Sequence, residues 1–99
     1  MLILTDDLDA RSAGCMPNVR RLLMDEGVSF SNGFVTTPLC CPSRASILRG
    51  QYAHNHGVLS NSGADGGFPA FHALGDEETT IATWLQDAGY RTALFGKYL

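Results

Sequence analysis

Charge is scarce in this sequence. Asp, Glu, Lys and Arg make up 17% of its 99 residues, and acids outnumber bases ten to seven. There is no basic stripe, which argues against a nucleic-acid partner. No apolar run approaches the roughly 20 residues that cross a bilayer, so no transmembrane segment is expected. Cysteine is sparse and odd in number. Cys15, Cys40 and Cys41 cannot form a fully paired disulfide framework, and a bridge between adjacent Cys40 and Cys41 would be strained. No C-x-x-C or Cys/His spacing of a zinc site is present. The thiols therefore leave the compartment unread.

What is present fits an ordinary globular chain: 44% hydrophobic residues, no repeat and no low-complexity tract. The length allows one small domain at most. No basic n-region or cleavage site opens the chain. Both ends read as cut. Leu2-Ile3-Leu4 reads as a buried strand with almost nothing before it, and Phe95-Gly96-Lys97-Tyr98-Leu99 stops as a strand gives way to a loop. The expectation is a fragment of a larger fold.

Leu2-Ile3-Leu4 is a short apolar run that predicts a central parallel strand, ending at Thr5-Asp6-Asp7. Pro17 suits a first helical position; Val19, Leu22 and Leu23 follow at helical spacing, and Gly27 is the stop. Residues 28–35 alternate partly and predict a strand interrupted near Asn32-Gly33. Residues 42–49 predict a short helix with Pro42 in its first turn and Gly50 after its end. Residues 51–76, rich in Gly, Asn, His and Ser, read as a long surface loop. Thr79 or Thr80 caps a helix whose stripe of Ile81, Trp84 and Leu85 faces the core; Gly89 ends it. Residues 91–95 read as the next strand. Strands alternating with helices predict an α/β sandwich around a mostly parallel sheet. Functional groups gather at the carboxyl ends of such strands, which puts Asp6-Asp7 and Gly96-Lys97 on one rim.

The most informative segment is Leu39-Cys40-Cys41-Pro42-Ser43-Arg44-Ala45-Ser46-Ile47-Leu48-Arg49-Gly50. A tyrosine-phosphatase loop, C-x5-R, fails on spacing: six residues after Cys40 comes Ser46, and six after Cys41 comes Ile47. Two buried thiols in a core turn are the plain alternative, and that reading is kept for Cys41. Pro42 and the short helix set Cys40 at a helix N-terminus, where free N–H groups and the dipole favour an anion. Arg44 follows one turn on, with a fork suited to anionic oxygens.

The segment resembles the C-x-P-S-R signature of the type I, formylglycine-dependent sulfatases, with Gly50 at the position where their signature closes. The resemblance implies that Cys40 is oxidised to Cα-formylglycine by a formylglycine-generating or related maturase. One hydroxyl of the hydrated aldehyde attacks sulfur and displaces the ester's alcohol, and the other then loses its proton and expels sulfate as the aldehyde reforms. Leu4-Thr5-Asp6-Asp7 looks like the first metal motif of that family, which implies Ca²⁺ held by Asp6, Asp7 and the group at 40, with further ligands from later sequence. Asp9 reads as solvated. Gly96-Lys97-Tyr98 resembles the family's G-K-[WY] segment, in which the lysine contacts sulfate and formylglycine. Many arylsulfatases place His two residues after that lysine; Leu99 stands there instead. Arg49 stands where many relatives have Thr.

The resemblance covers nearly the whole chain and implies an alkaline-phosphatase-like sandwich, of which residues 1–99 are the N-terminal part of the catalytic domain. His54-Asn55-His56 and Asn61 give it the look of the N-acetylglucosamine-6-sulfatase and endosulfatase branch and of bacterial relatives. That branch implies a sulfated small molecule or glycan as substrate, 6-sulfated glucosamine among them, and an exported enzyme: periplasmic, extracellular or lysosomal. His54 and His56 are candidate sulfate contacts or proton shuttles, with a hydrogen-bonded loop histidine as the plain reading of each. His72 has no supporting context. The expected activity is sulfuric ester hydrolysis, with Cys40 attacking and Arg44 and Lys97 holding charge on oxygen. Phosphonate and phosphodiester hydrolases share the motif and stand as an alternative. An inactive truncated chain is the third reading.

Overall fold

A computed structural model describes residues 1–99, which divide into two units, Met1–Phe34 and Val35–Leu99. In the first, α1 (Ala10–Gly14) begins at Asp9, whose carboxylate accepts from the Arg11 and Ser12 N–H groups at 2.9 and 3.0 Å. This is why a five-residue helix forms here: its first free donors are satisfied by a side chain. Asp9 is solvent-exposed, as expected, and its capping bonds hold its carboxyl below the usual carboxylate range, the Ser12 hydroxyl contributing most.

Pro17 opens α2 (Pro17–Val19), which widens into a π-helical turn over Arg20–Met24. The Asp25 N–H reaches five residues back to the Arg20 carbonyl at 2.9 Å. Gly27 closes the segment because a Cβ there would meet the Leu23 carbonyl oxygen at 2.6 Å. No residue of this unit is buried.

The second unit holds the core: Cys41, Ala45, Val58 and Phe71, with Leu48, Tyr98 and Leu99 packed against them. Helix α3 (Cys40–Arg49) supplies Cys41, Ala45 and Leu48, spaced to share one face. It starts two residues earlier than Pro42 suggests. Gly50 terminates it in the left-handed conformation, φ 63°, with its N–H on the Ser46 carbonyl at 2.9 Å. Phe71 comes from α5 (Gly67–Ala73) and meets Tyr98 edge-on, ring centroids 6.1 Å apart.

The expected surface loop over residues 51–76 is therefore corrected. It contains α4 (Ala53–His56), α5 and the start of a 3-10 turn (Asp76–Glu78), and it supplies Val58 and Phe71, both fully buried. Its many small polar residues serve tight turns between short helices. Among them Gly57 takes φ 75° to end α4.

Helix α6 (Ile81–Asp87) begins as predicted at Thr80, in a reciprocal capping pair with Thr83. Its apolar stripe is not core in this chain: Ile81, Trp84 and Leu85 stay 46%, 49% and 39% exposed. The three expected strands likewise form no ladder. The only strand-like pairing is an isolated bridge between Ser60 and Gly66. A strand exists through its neighbours' hydrogen bonds, and none of the three segments pairs with another here. Their apolar side chains remain in solvent, Phe34 and Phe95 at 92% and 94%.

Candidate active site

Cys40 is the first residue of α3 and is partly exposed, while Cys41 beside it is buried against Ala45 and Phe71. Burial pushes the Cys41 thiol up from the ordinary cysteine value, an inert core sulfur. Arg44 lies one turn after Cys40, so the two side chains occupy one flank of the helix. The Arg44 guanidinium is buried, and its Nη1 donates to the Lys97 carbonyl oxygen at 2.8 Å. The Lys97 backbone, 53 residues from Arg44, is thereby tied to the helix that begins at Cys40. Lys97 itself is exposed.

The start of α3 has fewer free donors than its sequence suggests. Pro42 has no N–H, and the Ser43 N–H is spent on the Leu39 carbonyl at 2.9 Å. The Cys41 N–H donates to the Asn61 side-chain carbonyl at 2.9 Å. Of the first four residues of the helix, only Cys40 keeps an uncommitted N–H. An anion at this end must therefore draw on side-chain cations more than on the helix backbone.

The two candidate histidines separate. His54 is exposed, with its ring stacked on Tyr52 at 5.6 Å. His56 is 2% exposed, and both of its nitrogens are used. Nδ1 accepts from the Val58 N–H at 3.1 Å, so the proton sits on Nε2, 2.9 Å from the Ser46 hydroxyl. Burial pulls its pKa below the ordinary value, and Arg49 adds to this while Asp76 opposes it. The plain reading of a hydrogen-bonded histidine fits this geometry: His56 braces α3 through Ser46.

Asp6 and Asp7 lie in the first unit, both exposed. Asp7 is the one non-glycine residue with positive φ, 52°, a conformation that aspartate tolerates better than most side chains. Within neither unit do three His, Cys, Asp or Glu side chains gather as a cation site.

Two contacts lay outside the sequence-based expectations. Arg49, at the last turn of α3, donates to the Thr79 carbonyl at 2.7 Å, and its Nε lies 3.0 Å from the buried Asp76 carboxylate. Asn61 is the other. Its signal was available: Leu39 cannot cap with its side chain and Pro42 removes a donor, so the Cys41 N–H needs an acceptor from elsewhere.

The sulfatase family profile matches residues 1–99. An extracellular sulfatase SULF-1 homolog of Drosophila melanogaster is 48% identical over the whole chain, which spans 9% of that relative. An arylsulfatase of Chlamydomonas reinhardtii is 40% identical and the N-acetylglucosamine-6-sulfatase of Homo sapiens 38%, each again over the whole chain, which spans 16% and 18% of them. No solved structure matches. With the C-x-P-S-R helix, the clasped lysine and a match along its full length, the chain belongs to the sulfatase family.

Proposed function

We propose that the parent protein hydrolyses sulfate monoesters and that residues 1–99 are the N-terminal part of its catalytic domain, an alkaline-phosphatase-like sandwich. The observation that carries this reading is the Arg44–Lys97 clasp beside Cys40. It joins the Lys97 backbone to the helix that begins at the partly exposed Cys40, on a scaffold held by Cys41, Ala45 and Phe71, which supports a nucleophile at 40 served by two cations. The strands left unpaired here belong, on this reading, to the parent's central sheet.

Arg44 is permanently charged and faces the flank that carries Cys40, so it stabilises negative charge developing on sulfate oxygens. The exposed Lys97 ammonium adds a second positive charge for the same anion. Formylglycine at 40, installed by a maturase, supplies a hydrated aldehyde as nucleophile. The donor chemistry of Asp6 and Asp7 fits Ca²⁺: two successive exposed carboxylates, hard oxygen ligands, one of them on a left-handed backbone. With the group at 40 they would hold the ion, which supplies positive charge to the sulfate when bound. His54, exposed at the surface, is proposed as the histidine that contacts substrate, and His56 acts through α3.

The substrate class is a sulfated glycan or small molecule, with 6-sulfated glucosamine as the first candidate. Relatives named for N-acetylglucosamine-6-sulfate and for extracellular action support that choice and an exported location. The test is sulfate release by the full-length parent from sulfated glucosamine and aryl sulfate, with and without calcium. Release should vanish in Cys40→Ala. Turnover retained in that variant removes Cys40 as nucleophile.

A further inference from the structure

We infer that Asn61 is a positioning residue for the reacting group at 40, its side-chain carbonyl holding the Cys41 N–H and so locking the Cys40–Cys41 peptide. The inference rests on the chemistry proposed at 40. Cys40 occupies the first helical position, where backbone order depends on capping. Leu39, the cap residue, offers no side-chain acceptor, and Pro42 deletes the donor that a conventional cap would engage. Of the second and third helical positions, Cys41 and Pro42, whose donors a cap side chain engages, only Cys41 has an N–H. Asn61 takes it from twenty residues away. Only the carbonyl end of the amide can accept, so the orientation of the Asn61 side chain is fixed.

The segment around Asn61 is built to hold it there. The Gly67 N–H donates to the Ser60 carbonyl at 3.1 Å, and the Leu59 N–H to the Asp65 carbonyl at 2.7 Å. The Ser60 hydroxyl faces the Ser62 carbonyl at 2.5 Å and the Asp65 carboxylate at 3.1 Å. Gly66 and Gly67 permit the approach. A Cβ at 66 would sit 2.1 Å from the Ser60 hydroxyl, and one at 67 would sit 2.9 Å from the Asn61 carbonyl oxygen. Both glycines thus serve to bring the Ser60-Asn61 backbone close to the start of α5 and within reach of α3. A reacting group displaced by about 1 Å loses on the order of 100-fold in rate. An acceptor that fixes the adjoining peptide therefore acts on turnover more than on substrate affinity.

The experiment uses the full-length parent. Formylglycine content at 40 is measured by peptide mass spectrometry and used to normalise rates. Asn61→Ala should lower kcat about tenfold or more, with KM little changed. Asn61→Asp keeps the acceptor and should restore most of kcat, while its added negative charge raises KM for an anionic ester. A merely structural role would not split the two variants in this way. Wild-type kcat in Asn61→Ala overturns the inference, as does equal loss of kcat in both variants. Hydrogen exchange at the Cys41 amide gives a readout independent of substrate. It should be about tenfold faster or more in Asn61→Ala, and unchanged exchange overturns the role of Asn61. A formylglycine-bearing parent that releases no sulfate sinks the proposed function alone, and the Cys41 amide then decides for Asn61.

Discussion

The Arg44 guanidinium donates to the carbonyl oxygen of Lys97 at 2.8 Å, joining residues 53 positions apart. One side chain of the motif helix thereby sets the backbone of the second cation. Arg44 carries charge and also builds the site. Arg44→Lys keeps the charge but loses the planar fork. In the parent it should lower kcat/KM about 100-fold. Near-normal kinetics of sulfate release would show that charge alone is needed.

The buried imidazole of His56 makes stability sensitive to acid. Burial holds its folded-state pKa below the ordinary 6.5 of the unfolded chain. The unfolded state then binds the proton more readily. The neutral ring's contribution is complete above about pH 6.5 and is lost as pH falls through the lower folded value. His56→Gln should flatten this part of the stability profile. Thermal melts of both proteins between pH 7.5 and 4.5, chosen as roughly two units below and one above 6.5, read the effect. Parallel profiles would remove His56 as its source.

Asp7 combines a left-handed backbone with a proposed calcium-ligating carboxylate. Asn adopts that conformation comparably well but carries no charge. Asp7→Asn should therefore leave the fold intact and weaken calcium binding by the parent about tenfold or more. Calorimetric titration with calcium measures this directly. Unaltered affinity would take Asp7 out of the ligand set.

The cysteines differ in access. Cys15 is exposed, whereas Cys41 is buried with its thiol pushed up by desolvation. Under native conditions iodoacetamide should label Cys15 well before Cys41, with denaturant removing the difference. Peptide mass spectrometry after timed quenching reads both sites. Equal native rates would mean that the core around Ala45 and Phe71 opens readily.

The family of this chain was more legible in its sequence than its architecture. Cys40, Arg44 and Lys97 stand in short, specific residue strings, and the structure joins Arg44 to the Lys97 backbone. Helix boundaries at Pro17, Gly27, Gly50 and Thr80 were also readable, because caps and glycines act locally. Burial was not. Trp84 lies on an apolar stripe yet is half exposed, because periodicity shows which face seeks a partner and not whether one is present. The segment 51–76 failed in the opposite direction. Its composition resembles a loop, but single residues such as Val58 and Phe71 carry the core, and composition averages them away. Asn61 and Arg49 bond to groups 20 and 30 residues distant; local sequence shows that the Cys41 N–H lacks a cap but not which distant residue meets it.

Arg49 and Asn61 grip opposite ends of the same helix. Sliding α3 along its axis would break one grip or the other, so a change in chain length is borne best where neither hold is strained. The exposed tip at Gly63 and Ala64, past the Ser60–Ser62 contact, meets that condition. Insertions there would lengthen a surface excursion, whereas a single residue added between Arg49 and Asn61 would throw the clamp out of register.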